Sequence, residues 1–163
     1  MCENMLLALI TRQCNKGGSV MRLFNTVMGI SLLFIGLSAH ATKPDPNLTP
    51  GFLCSQQDPD FMGFAYPSHV ARCNRNIKQP EKLQVAQQYG GIPQSQWPNY
   101  EFDHFFPLCA GGSNNIKNLW PQPIAEAHSK DILENQICLE LQAGTLDQAG
   151  AVKKVQDWIS QHQ

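Results

Sequence analysis

At 163 residues the chain has room for one domain and little more. Its 42% hydrophobic and 15% charged residues exclude an intrinsically disordered acidic or basic chain, and its 12 Gly and 11 Pro follow no repeat. Twelve basic against thirteen acidic residues give a formal charge of −1, so a nucleic-acid partner would have to be drawn by a local site.

Read from Met21, the beginning has the parts of a secretory signal. Arg22 supplies a positive n-region, Leu23 to Leu37 an apolar h-region, and Ala39-His40-Ala41 an A-x-A cleavage site. The run Val27 to Leu37 is too short for a spanning helix, with an uncleaved anchor as the rival reading. Residues 1–20 precede this better-placed Met. Residues 1–41 are therefore expected to be a signal peptide, with Met21 as the true start. No Cys stands just after the cleavage site, which argues against a lipoprotein anchor. Residues 42–163 then carry nine basic and twelve acidic side chains, and four cysteines: Cys54, Cys73, Cys109 and Cys138. An even number in a small exported domain reads as two disulfides, for which three pairings exist. A zinc site is the alternative, but no C-x-x-C pair is present.

Residues 42–60 are rich in Pro, Asp and Asn, and the whole stretch 42–79 is expected to be an extended lead-in to a domain over 80–163. A short helix is predicted over 80–89, opened by Pro80, contributing Leu83, Val85, Ala86 and Tyr89 to contacts, and ended by Gly90-Gly91. The aromatic-rich stretch Trp97 to Phe106 suits a strand, and Ala110 to Asn115 is a turn. Asn118-Leu119-Trp120 is a second strand, stopped by Pro121 and Pro123. A helix from about Ile124 to Leu141 has Ile132, Leu133, Ile137 and Leu141 on one side, with Gly144 closing it. The last helix opens on Thr145-Leu146-Asp147-Gln148, a T-x-x-Q capping box, and turns Val152, Val155, Trp158 and Ile159 inward.

Chemistry concentrates in Tyr100 to Leu108, Gly111 to Asn114 and Asn118 to Pro121, with His128 and Lys130 downstream. Side chains alternate along a strand, so Asp103 and His104 point to different sides, one toward a metal and the other toward a substrate. A helix across the hairpin can return a second ligand, for which His128 is placed. Taken singly, an Asp-His pair reads as a solvated surface pair and a Gly-Gly-Ser-Asn run as a turn. Lys130, Asp131 and Glu134 read most simply as a solvated helix face.

The string DHFFPLCAGGSNNIKNLWPQP resembles the core of HNH nucleases of the ββα-metal, or His-Me finger, group. It is closest to small bacterial HNH-like proteins that read D-H-x-x-P-L-x-x-G-G-x-N, then N-L-W-P, then a helix with K-D and E. The resemblance spans roughly residues 81–160. It implies an α+β fold, a small ββα-metal finger with flanking helices stapled by disulfides, around one divalent cation. It further implies His104 as general base, Asp103 as a metal ligand, and Asn118 as the side chain that ties down the loop and so fixes the histidine. His128 falls at the second metal ligand, with Glu126 as the alternative, and Glu101 is a supporting carboxylate. The Cys pairs that bind structural zinc in some HNH proteins are absent.

The expected activity is hydrolysis of nucleic-acid phosphodiesters by an exported, largely sequence-nonspecific endonuclease, DNA ahead of RNA, yielding 5′-phosphate and 3′-hydroxyl ends. A carboxylate with an imidazole favours Mg²⁺ or Mn²⁺ and also admits Zn²⁺ or Ni²⁺. Arg72, Arg75, Lys78 and Lys82 cluster at spacings of three and four, and Lys117 and Lys130 flank the site, so these cations are expected to meet backbone phosphates. A solvated charged face is the alternative. Two other functions compete: a non-catalytic secreted binding module that keeps the hairpin as scaffold, and a hydrolase of another phosphodiester. The chain is expected to be a periplasmic or secreted monomer without membrane association after cleavage. Cys109 in the hairpin loop and Cys138 late in the following helix are expected to pair, leaving Cys54 with Cys73.

Overall fold

The structure, a computed structural model, describes residues 43–162. The expected signal peptide, residues 1–41, lies outside the described residues. The fold is α+β, with two small antiparallel sheets and two disulfides.

The first sheet pairs β1 (Phe61–Ala65) with β2 (Val70–Cys73), and it falls within the stretch expected to be an extended lead-in. Its turn uses left-handed backbone at Tyr66 and His69 rather than at glycine, so the usual turn signal is missing from the sequence. The segment before β1 is also anchored. Thr49 is buried, and its Oγ1 donates to Leu119 O at 2.9 Å while pairing with the Tyr89 hydroxyl at 2.7 Å.

Helix α1 (Gln79–Gln88) buries Val85 and Ala86, whereas Leu83, expected inside, is exposed. A 3₁₀ run over Gln94–Asn99 takes the first part of the predicted aromatic strand, so that β3 covers Tyr100–His104. Its partner β4 (Leu119–Pro123) continues through Pro121 and Pro123, which were expected to stop it. The bond from Phe105 N to Asn118 O sets the ladder's phase: bonded pairs fall at Asp103↔Trp120 and Glu101↔Gln122. The two prolines therefore sit at the alternate positions, where the ladder asks for no donor.

Helix α2 (Ile124–Ala143) follows β4 directly and packs against both strands of the hairpin. Its inward stripe is Ala127, Lys130, Ile137 and Leu141, while Ile132, predicted inside, is 58% exposed. Gly144 takes the left-handed conformation that ends it. Helix α3 (Gln148–Gln161) is capped by Asp147, whose carboxylate accepts from Gly150 N at 2.8 Å. That replaces the predicted Thr145 capping box. Ala151, Val155 and Ile159 face in.

The β3–β4 hairpin has a core on each side. Phe102 and Leu119 pack with Val85 and Ala86 of α1. Phe105 and Phe106 join Val70, Ile137, Leu141, Val155 and Ile159 between the first hairpin, α2 and α3. The disulfides link Cys54 to Cys73 and Cys109 to Cys138, the expected pairs. Among the described residues no helix is long and apolar enough to cross a membrane.

Candidate active site

The loop after β3 is held by one carboxamide. Asn118 Oδ1 accepts from Phe106 N at 2.9 Å and Phe52 N at 3.2 Å, while Nδ2 donates to Phe106 O at 3.1 Å and Ser113 O at 2.9 Å. All of its hydrogen-bonding capacity is used, and the residue is fully buried. Gly112 is required beside it, because a Cβ there would lie 1.8 Å from Phe106 O.

His104, at the end of β3, is 2% exposed. Its Nε2 meets Asn114 Oδ1 at 3.1 Å. The Asn114 amide nitrogen donates to Asp60 Oδ2 at 2.8 Å and Asn74 O at 2.7 Å, two groups that only accept. Oδ1 is thus the accepting atom, Nε2 carries the proton, and Nδ1 of the neutral ring keeps its lone pair, toward which Arg75 points. Asp60 is fixed in turn by Asn76 Nδ2 at 2.7 Å. Burial lowers the His104 pKa to about 4, against the opposing pull of Asn114 and the Asp103 charge, so the ring is neutral at neutral pH.

Asp103 Oδ2 receives Lys130 Nζ at 2.5 Å, and the same ammonium donates to His104 O at 2.7 Å and to Glu134. Burial by itself would raise the Asp103 carboxyl, but Lys130 outweighs it and holds the group below its ordinary value. The Lys130 pKa is raised: burial favours loss of the proton, and the charges of Asp103 and Glu134 more than offset that. Glu134 goes the other way, raised by burial beyond what Lys130 recovers.

Arg75 lies across the open side of this group. Its Nη1 stands 3.8 Å from Asp103 Oδ1 and 3.4 Å from His104 Nδ1, and its Nη2 donates to Phe102 O at 3.0 Å. Arg72 packs its guanidinium over the Tyr66 ring and donates to that hydroxyl at 2.6 Å. Both arginines line a cleft of about 280 Å³ with Asp103, His104, Glu134 and the Cys109–Cys138 bridge.

Of the residues singled out from sequence, Asp103, His104, Arg72 and Arg75 meet in this cleft, and Glu101 stands 4.0 Å from Arg75 at its edge. Burial and the Asp103 charge raise the Glu101 carboxyl. His128 does not join them. It is exposed and lies about 200° round α2 from Lys130, on the side away from Asp103. Glu126 shares the Lys130 side of the helix, half-buried, but its carboxylate does not bond to Asp103, His104 or Lys130. Lys117 is exposed outside the cleft. Lys130 is not free for phosphate: it is 1% exposed and its ammonium has three acceptors. The sequence reading passed over Asp60 and Asn74, gave Asn114 no role beyond its place in the motif, and took Glu134 with Lys130 for a solvated helix face, whereas Lys130 is buried and bonded to Glu134. For Lys130 and Glu134 a signal existed, since both share the helical stripe of Ala127, Ile137 and Leu141.

The donor set bears on a metal. With His128 turned away, the structure does not bring together the carboxylate-plus-imidazole pair expected of Asp103 and His128. Asp103 is the carboxylate that a cation in the cleft would use, and it already has two cationic partners, Lys130 on Oδ2 and Arg75 at 3.8 Å from Oδ1, so only Oδ1 is left for a metal and Arg75 competes for it. Elsewhere Cys54, Asp58 and Cys73 converge, but the two sulfurs form a disulfide and offer no thiolate. A cavity of about 570 Å³ beside Gly144 to Asp147 is lined by Ser68, Thr145 and Asp147 among others, and its one ionisable side chain is the carboxylate that caps α3.

Comparisons with protein-family models, curated proteins and solved structures returned no match in any of the three.

Proposed function

We propose that the chain is an exported, metal-dependent HNH-type endonuclease that hydrolyses nucleic-acid phosphodiester bonds, DNA ahead of RNA, and acts as a monomer in the periplasm or outside the cell. The observation that carries the reading is His104: a neutral imidazole whose Nε2 proton is held by Asn114 Oδ1 and whose Nδ1 lone pair faces a cleft beside Asp103 and two arginines, with Arg75 Nη1 at 3.4 Å. The resemblance of Asp103 to Pro123 to the HNH core supports the same reading, and the two disulfides suit an oxidising compartment.

In this mechanism a water attacks phosphorus while its proton passes to His104 Nδ1. The P–O3′ bond breaks, the phosphate stays on the 5′ side, and the 3′-oxygen takes a proton from solvent. Arg72 and Arg75 hold the non-bridging oxygens as charge builds on them. A Mg²⁺ or Mn²⁺ on Asp103 would add positive charge at the same phosphate. Lys130 keeps Asp103 ionised and pins the His104 carbonyl, so both ends of the dipeptide are fixed.

One observation favours a non-catalytic binding module instead: Arg75 lies against the nitrogen that would take the proton. Nicking of supercoiled plasmid by the disulfide-intact protein separates the two. The expected result is nicking that EDTA abolishes and Mg²⁺ or Mn²⁺ restores, and at least about a hundredfold slower turnover in His104→Ala. DNA binding without any nicking would favour the module, and an unimpaired His104→Ala would remove the base.

A further inference from the structure

A second cavity, of about 440 Å³, opens on the other side of Arg75. Its walls include Trp97, Tyr100, Glu101 and Lys82, with the exposed Ile124 at its edge. Volumes of this size accommodate small organic ligands. The walls differ in kind from the catalytic cleft. Trp97 is braced, its indole nitrogen donating to Ile92 O at 3.2 Å and its ring set edge-on to Phe102 at 4.9 Å. Such a ring offers a rigid stacking surface, and stacking is the sequence-tolerant way to hold an unpaired base. Glu101, its side chain 46% exposed, presents oxygens that only accept. Lys82 adds a second cation near Arg75 for backbone phosphate.

Arg75 is common to both cavities. A phosphate held by Arg75 against His104 therefore has its neighbouring nucleoside directed into the second one. A carboxylate selects a base edge with donors. Guanine alone carries two adjacent donors, N1–H and N2–H, matching the two oxygens of Glu101, whereas thymine offers one donor between two carbonyls.

Resting on the nuclease reading above, we propose that the Trp97–Glu101 cavity is a nucleobase subsite that takes the unpaired base flanking the scissile phosphate and prefers guanine. The enzyme then cleaves with a bias beside guanine and favours single-stranded or frayed substrate over closed duplex, since the guanine edge that Glu101 reads is hidden in a base pair.

The probes are 2′-deoxyguanosine 3′,5′-bisphosphate and thymidine 3′,5′-bisphosphate. Neither contains a diester, so binding is read without turnover. Calorimetric titration of the disulfide-intact protein is expected to give about tenfold tighter binding of the guanosine probe. Glu101→Gln should erase that preference while leaving thymidine binding in place, and Trp97→Ala should weaken both probes about tenfold. Trp97→Phe, which keeps a stacking face, should retain the binding should Trp97→Ala fold poorly. Equal affinity for the two probes, no saturable binding of either, or a preference that survives Glu101→Gln and Trp97→Ala would overturn the subsite. The two readings fail separately. Plasmid nicking with no probe preference overturns the subsite alone, and probe preference without cleavage of either plasmid or single-stranded DNA upholds the base pocket while overturning the nuclease.

Discussion

Lys130 places a full charge at 1% exposure, and an ion so buried is tolerable only because two carboxylates and a carbonyl surround it. Lys130→Met keeps much of the volume but strands Asp103 and Glu134. The expected loss is about 3–5 kcal/mol, read as a lower denaturant midpoint, and adding Asp103→Asn with Glu134→Gln should recover a large part. An unchanged midpoint in Lys130→Met would show that the cluster carries no stability. His104 makes a prediction about pH. Its folded pKa of about 4 lies below the roughly 6.5 of an exposed imidazole, so the unfolded chain binds the proton first. Stability conferred by the neutral ring is complete above about pH 6.5, declines as pH falls toward 4, and levels off below, about 3 kcal/mol in all. The acid limb of kcat/KM should likewise fall near pH 4. Urea unfolding at stepped pH, with His104→Gln expected to flatten the curve, and a pH–rate profile check both; a limb near 6.5 would contradict the buried neutral ring.

At the scale of elements, each disulfide secures one side of the cleft. Cys54–Cys73 ties the end of β2, directly before Asn74 and Arg75, and Cys109–Cys138 ties the loop after His104 to α2. The bridges close 19 and 29 residues, so loop-closure entropy assigns each roughly 3–4 kcal/mol. Replacing Cys109 and Cys138 by Ser should lower the unfolding free energy by that amount and reduce nicking more than the stability loss explains, because the bridge also lines the cleft. A double variant with wild-type stability would count against the entropic account. The pairing was legible because Cys109 falls in the loop of the β3–β4 hairpin and Cys138 late in the helix that packs across that hairpin. The β1–β2 hairpin was not: its turn is built on Tyr66 and His69, and the exposed positions of β1 are the apolar Met62 and Phe64, so its alternating burial leaves no polar–apolar alternation to be read.

Over the whole molecule, what the sequence made visible was local: α1, α2, α3 and the β3–β4 hairpin follow from apolar spacing and breakers. The lines drawn too early were at Pro121 and Pro123, where ladder phase overrides the general rule against proline in strands. The candidate site was half legible. Asp103 and His104 stood out as a dipeptide, whereas their supports come from Asp60, Asn74, Lys130 and Glu134, which only the tertiary fold brings near. Asn118 shows the same dependence in a single side chain, whose partners lie 5, 12 and 66 residues away. Position 118 therefore has almost no synonyms in the amino-acid alphabet. Aspartate matches the shape but brings no hydrogens for Phe106 O and Ser113 O, glutamine has both but is one carbon too long for a site with no exposed surface, and alanine would orphan four backbone groups at once. At this position geometry alone fixes the letter.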